Sequence, residues 1–138
     1  MIVLETSAVV DALVGEAVHP ELLARLADEE LHAPSLLDYE VASALRGHVL
    51  AGKIARARLE EAVADFTGLR IERYEMTAAL PRILDLRDNF TVYDAAYVVL
   101  AVALEAPLVT SDEKMREAER LGVAVHVYAA DDTTPGSG

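Results

Sequence analysis

Three observations predict an α/β domain built on a parallel sheet. Short apolar, β-like runs alternate along the chain with helical patterns, the spacing that βαβ units produce. The 138 residues amount to one domain. Of these, 53% are hydrophobic and the mean hydropathy is +0.24, so there is enough apolar surface to build a core.

Ile2 to Leu4 is a short apolar strand followed by Thr6 and Ser7, good N-cap residues for a helix that runs to Val14 and stops at Gly15. A second helix starts near Pro20 and sets Leu22, Leu23 and Leu26 on one face, and Leu31 to Ala33 reads as a strand. Ser35 with Asp38 matches a capping box for a longer helix reaching Gly52. Leu59, Ala62, Val63 and Phe66 form an i, i+3, i+4, i+7 stripe within a helix over 55–66. Leu69, Ile71 and Tyr74 alternate as a strand, and 75–87 is helical with a kink or restart at Pro81. Thr91 caps the most apolar helix, which extends to Glu105. Leu108 to Thr110 is a buried strand, 113–121 a charged surface helix ended by Gly122, and 123–128 a last strand. The prediction is four or five short strands with about seven helices. The domain should span 1–130, with 131–138 a disordered tail lacking apolar residues.

The composition sets limits on function. With 24 Asp and Glu against 12 Lys and Arg, the formal net charge is −12, which argues against a broad basic surface for nucleic-acid phosphates. A local site where bound cations invert the sign is still allowed. The absence of cysteine excludes a disulfide scaffold, a thiolate metal site and a thiol nucleophile, and fits a reducing cytoplasm. No basic region precedes the apolar start, as a signal peptide would require. The longest apolar run, Ala95 to Leu104, falls far below the roughly 20 residues needed to cross a bilayer, so no membrane association is expected.

Four acids depart from the ordinary surface pattern. Asp94 is, tyrosine hydroxyls aside, the only polar side chain from Val92 to Leu104, where a buried carboxylate needs a cation, a donor or an open cleft. A favourable position in the helix dipole is the competing explanation. Glu40 lies among Leu36, Leu37, Ser43 and Ala44 on an apolar helix face, where an ion pair with arginine would also satisfy it. Glu5 and Asp112 follow the strands ending at Leu4 and Thr110, where parallel sheets place ligand sites, although either acid could cap the next helix. Carboxylates gathered at one point suit Mg²⁺ or Mn²⁺. His19, His32, His48 and His126 show no short-spaced pair for zinc. One or two such cations would activate water and neutralise charge on a phosphodiester, which suggests a nuclease.

Four segments taken in order then carry a resemblance. They are MIVLETSAVV (1–10), EVASALR (40–46), TVYDAAYVVLA (91–101) and LVTSD (108–112). Together they resemble PIN-domain ribonucleases, specifically the VapC-type toxins of toxin–antitoxin pairs, over about residues 1–129. The resemblance implies a three-layer α/β/α fold and Mg²⁺- or Mn²⁺-dependent endonuclease activity on RNA. It further implies inhibition by a cognate VapB-type antitoxin, and homodimerisation. Carried over residue by residue, it makes Glu5, Glu40, Asp94 and Asp112 the metal-binding and catalytic acids. Thr6, Thr110 and Ser111 become hydroxyls that orient the carboxylates or a water, with helix capping as their alternative role. The family usually has aspartate at the position of Glu5. The extra methylene moves the carboxylate by about a bond length, which Mg²⁺ tolerates poorly. An attenuated module that acts mainly by binding a protein partner is therefore the second reading. A receiver-like phospho-acceptor fails because residues 55–66 are helical, and a haloacid-dehalogenase-like phosphatase fails because Ser7 stands where a second aspartate is required. The solvated remainder of the acids would suit a basic antitoxin and would resist non-specific RNA binding.

Overall fold

The computed structural model describes residues 1–129; the expected tail at 131–138 lies outside the described residues. Five strands, β1 (Ile2–Leu4), β2 (Leu31–Pro34), β3 (Ile71–Tyr74), β4 (Leu108–Thr110) and β5 (Val125–Val127), form one all-parallel sheet in the order β3-β2-β1-β4-β5. Six α-helices accompany it: α1 (Thr6–Val14), α2 (Pro20–Asp28), α3 (Leu36–Leu50), α4 (Arg56–Gly68), α5 (Leu80–Asp85) and α6 (Val92–Leu104). Two 3₁₀ segments, Thr77–Ala79 and Glu113–Leu121, complete the described chain. The strand order reverses direction between β1 and β4, and parallel sheets open a crevice beyond their carboxyl ends at such a point.

The central strands β1 and β4 are buried along their whole length, which is why they read as unbroken apolar runs. Helix α6 is apolar nearly all round because it is covered twice. It packs on β1, β2 and β4, while Ala95, Ala96 and Val99 meet Ile83 of α5. Fully burying a side chain such as Leu4, Leu37 or Leu108 is worth about 1.5–3 kcal/mol each, so this core fixes the strand ends that carry the acids.

Local chemistry departs from the sequence expectations at three places. The Ser35–Asp38 capping box does not form. Ser35 has helical backbone angles and its hydroxyl donates to Glu75 (2.9 Å), while Asp38 accepts from Arg73 (2.9 Å). Tertiary partners outcompete the local cap here. Thr6 and Ser7 likewise leave α1 without a side-chain cap and turn their hydroxyls onto carboxylates. The restart expected at Pro81 does occur: α5 begins at Leu80 after the Thr77–Ala79 turn, with Pro81 in its first turn where the missing N–H costs nothing. The segment Glu113–Leu121 is 3₁₀ rather than α, and its buried residues Met115 and Ala118 stand three apart, matching three residues per turn. Thr91 does cap α6, accepting from Asp94 N (3.1 Å). No helix among the described residues is long and apolar enough to cross a membrane.

Candidate metal centre

A cleft of about 530 Å³ opens where the sheet order switches. Among the described residues it is lined by Glu5, Asp11, Glu40, Asp94 and Asp112, so five carboxylates share one space with a single ammonium, Lys114. Each acid arrives on a different element. Glu5 directly follows β1, and its N–H donates to Val109 O of β4 (2.9 Å), tying the two strand ends together. Asp112 stands two residues beyond β4, Asp94 in the first turn of α6, Glu40 on α3 and Asp11 on α1.

The two glutamates are held in the same manner. Thr110 Oγ1 donates to Glu5 Oε1 (2.6 Å), and Ser7 Oγ donates to the same oxygen. These hydroxyls in turn accept the N–H groups of Asp112 (3.0 Å) and Ser111 (2.9 Å), so the chain beyond β4 is anchored to Glu5. Glu40 Oε1 accepts from Thr6 Oγ1 (2.7 Å) and from Tyr97 OH (2.7 Å). Its partners are thus hydroxyls rather than the arginine its sequence position allowed. Arg46, six residues further along α3, is not among the cleft-lining residues. His48 shares the cleft wall, and its Nδ1 donates to the Ala44 carbonyl (2.8 Å).

Electrostatics here favour neutralisation. Burial pushes the Glu5 carboxyl above the ordinary carboxylate range; the Ser7 and Thr110 hydroxyls oppose that rise and Asp94 adds to it. Burial also raises Asp94, opposed by Lys114 and reinforced by Asp112 and Glu40. The Tyr97 phenol is driven up by burial and by donating to Glu40, so it stays protonated as a donor. Lys114 Nζ lies 3.4 Å from Asp112 Oδ2 and 3.7 Å from Asp94 Oδ2, and those two carboxylates hold its pKa above the ordinary lysine value.

All four sequence-nominated acids therefore line one cleft, and Thr6 and Thr110 bond directly to two of them. Ser111 contributes through its backbone, while its Oγ is buried without a hydrogen-bond partner among the described residues. The carboxylates are not drawn up to coordination distance of one point; among the described residues no three acids or histidines form such a group. The chemistry nonetheless fits a hard cation. The donors are oxygens, an ammonium stands between two of the acids, and an orphaned hydroxyl lies next to Asp112. Sequence reasoning missed Ser7, Asp11, Tyr97 and Lys114. Tyr97 had a signal, being three residues after Asp94 and hence on its helix face.

Comparison with known proteins bears on this geometry. The family model for the PIN domain matches residues 2–121. The chain belongs to the PIN-domain family. Among curated relatives, Ribonuclease VapC1 of Mycobacterium tuberculosis is 40% identical over 124 residues, covering 86% of this chain and 91% of the relative. Ribonuclease VapC9 of the same organism is 36% identical over 117 residues, covering 85% and 90%. These similarities put the chain with the VapC-type members of the PIN family. The crystal structure of PAE2754 from Pyrobaculum aerophilum superposes with a TM-score of 0.63, covering 90% of this chain and 87% of that one, at 19% identity, a likeness of fold.

Proposed function

We propose that this PIN domain is a divalent-metal-dependent endoribonuclease, the toxin half of a VapBC-type pair, with Glu5, Glu40, Asp94 and Asp112 holding the cation. The observation that carries the reading is the convergence of these acids at the sheet's switch point, with Lys114 the only ammonium among them in the described residues. An all-oxygen donor set suits Mg²⁺, or Mn²⁺ where geometry is less regular. When bound, the cation supplies Lewis acidity, acidifying a water and neutralising charge on the phosphodiester.

The chain's own groups do the positioning. In both glutamates two hydroxyls converge on Oε1, so Oε2 is the oxygen left for a cation. Asp94 and Asp112 face one another across Lys114 and form the second half of the donor set. Five carboxylates repel phosphate, so RNA enters only once their charge is offset. Residues 1–130 are the functional unit, acting in the cytoplasm as a homodimer restrained by a VapB-type antitoxin. A net charge of −12 suits a basic partner.

A second reading has its own observation. Glu5 is only 7% exposed and is bound by two hydroxyls where the family usually has a shorter aspartate, which favours an attenuated domain that works by binding a protein. Cleavage of single-stranded RNA by the protein and by Glu5→Asp, with EDTA and then with Mg²⁺ or Mn²⁺, tests both readings. Loss in EDTA and recovery with metal is expected, and cleavage surviving EDTA would overturn the metal chemistry. A large gain in Glu5→Asp marks attenuation, and no activity in either protein favours the binding role.

A further inference from the structure

Lys114 is two-thirds exposed, yet its ammonium is fixed between carboxylates that come from separate elements, Asp94 at the start of α6 and Asp112 beyond β4. Its backbone adds to the arrangement, since Lys114 N donates to Asp112 Oδ1 (3.1 Å). Among the described residues no other lysine and no arginine lines the cleft. The remaining basic groups of the Glu113–Leu121 segment are turned away from it: Arg116 pairs with Glu113 and Glu119, and Arg120 with Glu117. The two carboxylates share this ammonium, and without it they would meet as like charges with their repulsion unrelieved.

We propose that Lys114 is a placeholder cation, holding Asp94 and Asp112 together in the metal-free chain and competing with the divalent ion for that position. The proposal rests on the metal reading above and adds a positioning residue to it. An ammonium is a compact point charge on a flexible four-carbon stem, so it can bridge two carboxylates and then withdraw to solvent at small conformational cost. It carries half the charge of the ion that replaces it and makes no inner-sphere bonds. Displacement is therefore downhill, but it raises the metal concentration at which the site fills. The lysine thus sets a threshold for metal loading and keeps the acids apposed below that threshold.

The test measures Mn²⁺ binding by titration calorimetry and metal-free melting temperature for the full chain, for Lys114→Gln and for Lys114→Arg. Removing the charge should tighten Mn²⁺ binding by roughly 3- to 10-fold, the scale of one exposed charge contact. The same change should lower the metal-free melting temperature by about 2–4 °C, with saturating Mn²⁺ abolishing the difference. Lys114→Arg, which keeps the charge, should stay near the unsubstituted protein in both measurements. Tighter Mn²⁺ binding with an unchanged metal-free melting temperature would mean a bystander charge and overturn the proposal. Unchanged or weaker Mn²⁺ binding by Lys114→Gln, with normal binding by the unsubstituted chain, would also overturn it while leaving the metal reading intact. Failure of every protein to bind Mn²⁺ would overturn both.

Discussion

Asp112 and Glu113 are adjacent in the chain yet belong to regions with opposite electrostatic arrangements. From Glu113 onward each acid of the 3₁₀ segment has an arginine three residues away: Arg116 reaches Glu113 (2.5 Å) and Glu119 (3.9 Å), and Arg120 reaches Glu117 (3.1 Å). All of these side chains are well exposed, so the charges are matched and hydrated at once. From Asp112 back into the cleft, five carboxylates have one ammonium, and two of them are buried enough for their pKa values to rise. The surface pattern is what stability alone produces. The cleft pattern opposes stability, so it needs a reason outside folding, and cation capture supplies one.

The sharpest way to break this contrast is to remove one carboxylate from each region. Asp94→Asn should lower metal-dependent RNA cleavage by at least about 100-fold, as expected for a group needed in the transition state, with an unchanged circular dichroism spectrum. Glu117→Gln should leave cleavage unaltered. Equal losses in both variants would erase the distinction between the two regions. Tyr97→Phe should cost about 10-fold through misorientation of Glu40, the usual penalty for losing a group that orients a ligand. Its readout is the metal concentration for half-maximal cleavage, which a purely structural defect would leave in place.

The buried carboxylates add a pH signature. Folding favours the protonated form of Glu5, whose ordinary value is 4.5. Its cost to the metal-free fold is therefore present in full above the raised value and disappears as pH falls below the ordinary one. Glu5→Gln should stabilise the metal-free chain by roughly 1–2 kcal/mol at pH 7, relieving a buried charge that two hydroxyls satisfy incompletely. That advantage should shrink on acidification, as followed by thermal melts of both proteins. Metal loading runs the other way, because ligand carboxylates must be deprotonated, and so Mg²⁺-dependent cleavage should fall with pH before an ordinary carboxylate would titrate.

How much of this was legible in the sequence depended on whether a residue's partner was local. Strands β1 and β4 were readable because a parallel strand buried on both faces is an uninterrupted apolar run. Asp94 stood out because a single charge in an otherwise apolar helix has few explanations. The capping box at Ser35 misled because its side chains bond Glu75 and Arg73, 40 and 35 residues away, and nothing local reveals that. Lys114 was invisible for the same reason. By sequence it is one more base beside Arg116 and Arg120, and only the meeting of β4 with α6 gives it Asp94 as a partner.

The smallest effect tests the surface half of the comparison. Arg120→Ala removes the pair with Glu117, whose two side chains are 58% and 43% exposed. Such i, i+3 pairs contribute about 0.2–0.5 kcal/mol, so the melting temperature should move by no more than a degree or two and RNA cleavage not at all. The segment keeps its place through Met115 and Ala118, both fully buried beneath it, rather than through its charges. High salt should screen the pair and remove even that small difference between Arg120→Ala and the unsubstituted chain. The Glu5→Gln advantage, arising from burial, should survive the same salt. A salt-resistant loss in Arg120→Ala would mean that the arginine packs rather than pairs, and the contrast between the two acidic regions would then rest on the cleft alone.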